Sequence, residues 1–197
     1  MASSIVIAGV GGQGTLLASK ILAAAAGEKG LFVRTSETIG MAQRGGSVSS
    51  HLRIDAKELS PIIPMHHADA LLAFEPAEAV RMLPKLKPGA KCVVDTDKVV
   101  PTNVALGRGV YLAEEYIALL KEKCPAALFI KGAPLALSAG DIRTLNIVIL
   151  GAAAGAGALP FTPREIRAAM AECVKPKLLA MNEKAFELGL KAPGVRW

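Results

Sequence analysis

Apolar and polar positions along the chain follow two alternating periods. Ile5 to Gly9 form an unbroken apolar run, read as a buried strand. From Gln13 to Lys29 the apolar spacing becomes helical, with Leu16, Leu17, Ile21 and Leu22 expected inward and Gly30 as the stop. Leu31 to Thr35 read as a second strand, and 36–46 as a polar loop containing glycine. Over 47–54 the period is two: Val48, Leu52 and Ile54 face one way and Ser49, His51 and Arg53 the other, which predicts a half-buried strand. Pro61-Ile62-Ile63-Pro64 is extended and cannot be helix interior. Further strands are expected at 70–74, 91–94 and 128–130, and helices from Pro76 to about Leu83 and over 114–123. Pro88-Gly89 reads as a turn. The C-terminal third reads as helices at 141–156, 163–174 and 177–190, with a buried apolar stretch, Leu145 to Phe161, ending near Pro160. Thr162, Pro163 and Glu165 spell a capping box.

Strands alternating with helices predict an α/β fold of three layers: a Rossmann-like, mostly parallel sheet with helices on both faces, followed by a helical part over about 141–197. The 197 residues suit one domain. Just over half are hydrophobic but only 4% aromatic, so the core must pack backbones closely instead of filling space with rings. The net charge of +6 includes a basic C-terminal region, Lys177, Lys184, Lys191 and Arg196. No basic run interleaves with stacking aromatics, so nucleic acid is not the expected partner. Cys92, Cys124 and Cys173 are scattered, and no C-x-x-C exists to hold an iron–sulfur cluster or structural zinc. A reduced, cytoplasmic setting is expected. No membrane is expected either, because the longest apolar run is short for a span.

The candidate chemistry sits in two glycine segments. Gly9, Gly11 and Gly14 have the G-x-G-x-x-G spacing directly after a strand, where a tight turn brings backbone amides to a helix N-terminus suited to an anion. The third glycine is expected to let helix and strand pack closely. The second segment, Ser36 to Ser47, carries Gln43, Arg44, Gly45 and Gly46: a guanidinium fork beside two glycines whose amides can converge on an anion. Both segments are expected at the carboxyl edge of the sheet, where such folds bind ligands. A dinucleotide site would want an acid at the end of strand two. The residues there are Arg34-Thr35-Ser36, with Glu37 beyond, so an NAD(P) dehydrogenase is a weaker alternative in which Arg34 meets a 2′-phosphate. His66-His67 lacks a third ligand at metal spacing, and His51 reads as a hydrogen-bonded strand residue. Asp95, Asp97 and Glu75 follow strands and are expected to cap helices. No catalytic set of side chains is apparent.

Taken together, Gly9-Val10-Gly11-Gly12-Gln13-Gly14-Thr15 and Thr35-Ser36-Glu37 through Gly40-Met41-Ala42-Gln43-Arg44-Gly45-Gly46-Ser47 resemble the gamma-type subunit of 2-oxoacid:ferredoxin oxidoreductases. The variant Gly40-Met41-Ala42-Gln43-Arg44-Gly45-Gly46 resembles most the beta subunit of the indolepyruvate enzymes. Phe74-Glu75-Pro76 and Asn146 to Gly151 add support. The resemblance covers nearly the whole chain. It implies a subunit, inactive alone, of an enzyme that converts a 2-oxoacid and coenzyme A to acyl-CoA, carbon dioxide and reduced ferredoxin. Thiamine diphosphate, its magnesium and the iron–sulfur clusters are implied on a large catalytic partner. Coenzyme A is implied at the interface, with Gly11, Gly12, Gln13, Gly14, Gln43, Arg44, Gly45 and Gly46 near the ligand or the partner. A purely structural assembly module is the other alternative, and an isolated chain, with its interface bare, is expected to pair with itself.

Overall fold

The computed structural model describes residues 2–39, 45–55, 60–192 and 195–196. Seven strands form one sheet: β1 (Ser3–Val10), β2 (Val33–Ile39), β3 (Ser47–Ile54), β4 (Ala68–Ala73), β5 (Leu86–Asp95), β6 (Leu128–Ile130) and β7 (Val195–Arg196), in the spatial order β2-β3-β1-β4-β5-β6-β7. β1, β4, β5 and β6 pair in parallel, whereas β3 runs antiparallel between β1 and β2, and β7 antiparallel to β6. β2 therefore points the same way as β1, and five strands share one direction.

Among the described residues eight α-helices accompany the sheet: α1 (Thr15–Glu28), α2 (Pro76–Met82), α3 (Thr102–Ala105), α4 (Ala113–Lys123), α5 (Gly132–Ala139), α6 (Leu145–Gly155), α7 (Pro163–Cys173) and α8 (Pro176–Leu190). The strands feed two cores by strict alternation. Ile5, Ile7, Leu72 and Val93 pack with α1 and α5 to α8; Val6, Ala8, Leu71 and Val94 pack on the opposite face with Ala79 of α2 and Leu120 of α4. This is the three-layer α/β fold expected.

Several local readings need correction. β2 runs to Ile39, so 36–39 are strand where a loop was expected. Leu16 points outward at 38% exposure; Ala18, Ile21, Leu22 and Ala25 make the buried stripe. Pro88-Gly89, read as a turn, lies inside β5, where the register against β4 slips between Ala68 and Ala70 and Gly89 adopts φ 77°. α6 stops at Gly155, short of Pro160. β3 is buried on both faces. The extended segment around Ile63 roofs its polar face: Ile63 N–H donates to His51 Nδ1 (3.2 Å), Arg53 reaches Ser60 O (3.4 Å), and Lys85 Nζ donates to Ile63 O (2.8 Å).

The core is close-packed through glycine, as the shortage of aromatics required. A Cβ on Gly189 of α8 would lie 2.0 Å from Val148 O, and one on Gly151 of α6 2.3 Å from Phe186 O. The backbones of α6 and α8 therefore touch directly. At the other end of this layer, the capping box at Thr162 and Glu165 is formed, and Lys29 pairs with Glu165 at 2.8 Å, tying α1 to α7. Among the described residues no single helix is long and apolar enough to cross a membrane.

Candidate functional site

The two glycine segments meet. Gly11 N–H donates to Gly46 O (2.8 Å) and Gly45 N–H donates back to Gly11 O (3.2 Å). Their meeting follows from register: Val10 faces Ser47 across β1 and β3, and Ile39 faces Val48 across β2 and β3. Both loops thus leave the carboxyl edge, as the sequence implied. Gln43 and Arg44 lie outside the described residues.

Within the first turn, Gln13 acts as a clamp. Its Oε1 accepts from Val10 N–H (2.8 Å) and its Nε2 donates to Phe74 O (2.7 Å), joining the ends of β1 and β4. Gln13 N–H donates to Val10 O (3.1 Å). The amides of Gly11 and Gln13 are therefore committed to this chain. Gly12, exposed at φ 103°, is the glycine of the turn that lines the adjoining cleft. Gly14 sits at φ 79° as the N-cap of α1. A Cβ there would lie 2.5 Å from Asn146 Nδ2, which donates to Gly14 O (3.1 Å). The third glycine thus makes room for α6, not for a strand. Gly9 makes room for the clamp and the helix start: a Cβ there would lie 2.8 Å from Gln13 Oε1 and 3.2 Å from both Phe74 and Thr15 of α1.

The next elements continue the edge. Glu75 is nearly inaccessible and caps α2 by accepting from Glu78 N–H (3.0 Å); it also accepts from the Tyr111 hydroxyl. Burial raises the Glu75 carboxyl above its ordinary value against these stabilising bonds, and burial together with Glu75 raises the Tyr111 hydroxyl. Ser47 Oγ donates to Glu78 Oε2 (2.5 Å), fastening the second glycine segment to α2.

Beside the first turn opens a cleft of about 290 Å³, lined among others by Gly12, Gln13, Asp95, Asp97, Lys98 and Arg143. It lies beyond the carboxyl ends of β1, β5 and β6. Asp95 and Asp97 are caps, as expected. Asp95 Oδ1 accepts from Gly132 N–H (3.0 Å) and Asp97 N–H (3.1 Å), while Asp97 Oδ2 accepts from Ala133 N–H (2.9 Å). The helix they cap, α5, was not legible in the sequence. Asp95 is 0% exposed, and its Oδ2 meets no hydrogen-bond donor among the described residues. Burial pushes this carboxyl up to about 7; the backbone N–H groups of Gly132, Asp97 and Thr96 oppose the rise and the neighbouring Asp97 carboxylate adds to it. Lys98 is exposed, and Arg143 forks onto Asp141 (2.9 and 2.6 Å). Sequence reasoning missed these two cations. The one available pointer was Asp95-Thr96-Asp97 closing a strand at the ligand-binding edge.

Other candidates lie elsewhere. Arg34 pairs with Arg53, which pairs with Ser4, so it sits at the amino end of the strands, across the sheet from the glycine turn. Its guanidinium stacks over Phe32 at 5.4 Å. The strands beside β1 are β3 and β4, not β2, and Arg34 cannot serve a nucleotide held at Gly12. His51 Nδ1 accepts a backbone bond, and burial first, then Lys85, lowers its pKa. His67 Nδ1 meets Met65 O at 2.6 Å. Among the described residues no group of three metal-ligating side chains stands together.

Residues 4–192 match the pyruvate ferredoxin/flavodoxin oxidoreductase family. The indolepyruvate oxidoreductase subunit IorB of Archaeoglobus fulgidus is 38% identical over 190 residues, spanning 96% of this chain and 94% of that protein. The crystal structure of the gamma subunit of a keto/oxoacid ferredoxin oxidoreductase from Geobacter sulfurreducens superimposes with a TM-score of 0.68 at 26% identity, covering 96% of both chains. The same fold, at 23% identity and a TM-score of 0.68, occupies 30% of a longer chain, the 2-oxoglutarate:ferredoxin oxidoreductase of Magnetococcus marinus solved with 2-oxoglutarate, coenzyme A and succinyl-CoA bound. The chain belongs to the pyruvate ferredoxin/flavodoxin oxidoreductase family and is an accessory subunit of the gamma and indolepyruvate type.

Proposed function

We propose that this chain serves a cytoplasmic, indolepyruvate-type 2-oxoacid:ferredoxin oxidoreductase as the subunit that packs on the catalytic partner and binds one end of coenzyme A. The partner supplies thiamine diphosphate, magnesium and the iron–sulfur clusters that pass electrons to ferredoxin. The observation that carries the reading is the cleft beside Gly12. It presents an exposed glycine, two cations and an unpaired buried carboxyl oxygen at the ligand-binding edge of a parallel sheet. At about 290 Å³ it lies at the small end of ligand pockets, room for one part of an extended coenzyme with the remainder on the partner. Lys98 and Arg143 suit phosphate, and Gly12 lets the ligand approach the backbone, since a Cβ there would have open space but a strained φ. The chain's own part is to hold and orient the coenzyme; oxidation of the 2-oxoacid belongs to the partner's groups.

Steady-state kinetics of the complex assembled with its catalytic subunit test this. Lys98→Ala and Arg143→Ala are expected to raise the KM for coenzyme A about tenfold each, as loss of a charge-assisted bond does, with kcat little changed. An unchanged KM in both variants would leave only the assembly role.

A further inference from the structure

We propose that Asp95 links coenzyme binding in the cleft to a proton: the phosphate-bearing end enters while Asp95 is protonated at Oδ2, and affinity is lost as that oxygen ionises. This rests on the coenzyme reading above for the identity of the ligand. The geometry carries it. Asp95 is wholly buried at the floor of the cleft, and both of its intramolecular donors go to Oδ1. Oδ2 lodges against the start of α5, where a Cβ on Gly132 would come within 3.1 Å of it. As a neutral acid it leaves the floor of the cleft uncharged; as a carboxylate, with Oδ2 shut off from solvent, it sets an unscreened negative charge beneath an anionic ligand.

The surrounding charges do not rescue the ionised form. The β1–α1 turn contributes Gly12 and Gln13, both uncharged. The segment after β5 contributes Asp97, which adds repulsion, and Lys98, exposed at the rim. α5 contributes amides that serve Asp95 Oδ1 and Asp97 Oδ2. The turn entering α6 contributes Arg143, whose guanidinium is engaged by Asp141. Burial outweighs the backbone N–H groups of Gly132, Asp97 and Thr96, placing the carboxyl at about 7, and a phosphate nearby would raise it further. The coenzyme therefore binds with uptake of a proton from solvent onto Oδ2 at neutral and alkaline pH.

Calorimetric titration of coenzyme A into the assembled enzyme, in buffers of different ionisation enthalpy from about pH 6 to about pH 8.5, tests the linkage. The wild type is expected to lose about tenfold in affinity per pH unit above about 7, and to take up close to one proton more per coenzyme than Asp95→Asn does. The asparagine keeps an oxygen for Gly132 and Asp97 and puts N–H where the acid carries O–H, so its profile should be flat. Carboxyl-carbon NMR of the unmodified chain in the complex reads the same event without a variant: coenzyme A should move the Asp95 titration to higher pH. A wild-type slope and proton count in Asp95→Asn, or an Asp95 titration indifferent to coenzyme, overturns the linkage. Lys98→Ala separates the two failures. If it weakens binding while the linkage is absent, the coenzyme reading stands alone; if Lys98→Ala and Arg143→Ala both leave affinity untouched, the coenzyme reading falls first.

Discussion

Asp95 also governs stability through its proton. Its carboxyl ionises near 3.8 when free and at about 7 when folded, so the native state holds the proton more tightly than the unfolded chain. That contribution is whole below the lower value and is lost as pH rises through the upper one. Denaturant midpoints of the isolated chain are expected to decline between about pH 4 and about pH 7, and Asp95→Asn to remove most of the decline. The residue's place at a strand end, and its capping role, were legible in the sequence. Its orphaned oxygen was not, because the helix it caps is eight residues long, starts on Gly132 and carries Pro134, and so shows almost no periodicity. Gln13 and Gly14 teach the same lesson. Their spacing marked the turn, but their partners, Phe74 and Asn146, lie 61 and 132 residues away, and only folding brings them near.

At the scale of elements, the α6–α8 seam decides how the C-terminal layer closes. Gly189→Ala forces a methyl against Val148 O at 2.0 Å and is expected to destabilise by about 2 kcal/mol or more, despite a helix-propensity gain of about 1 kcal/mol. Gly27→Ala, in α1 with open space around the new Cβ, should keep the gain and stabilise by about 0.5 to 1 kcal/mol. Chemical denaturation of the pair separates packing from propensity. Element types were readable because periodicity and punctuation are local: the capping box, β6 and the last two helices fall within a residue or two of expectation, while α6 starts at Leu145, four residues later than read. Burial of β3 on both faces was not, because alternation looks the same whether the polar face meets water or a strap whose backbone bonds to His51 and Arg53.

Across the whole molecule, the segment that leaves Asp95 runs outward along the ligand edge before reaching α4. Val99 lines the cleft, Leu106 and Val110 are 65% and 74% exposed, and Tyr111 bonds Glu75 at the end of β4. An apolar border of this kind, beside a cleft too small for the whole coenzyme, fits a surface completed by the catalytic subunit. Val110→Asp is expected to abolish co-purification with that subunit while shifting the chain's own unfolding free energy by no more than about 0.5 kcal/mol. Co-expression with a tagged partner, followed by denaturation of the isolated chain, checks both halves.

Gly11 exchanges a bond with each of Gly45 and Gly46, and Gly12, the very next residue, borders the cleft. Two such links act as a crank: neither loop shifts appreciably without dragging the other or snapping a bond. A protein seated at Gly45 and Gly46 would therefore tug directly on the turn that borders the cleft, so that on the proposed reading assembly and coenzyme occupancy would report on each other over a few atoms, with no hinge and no travelling helix between them.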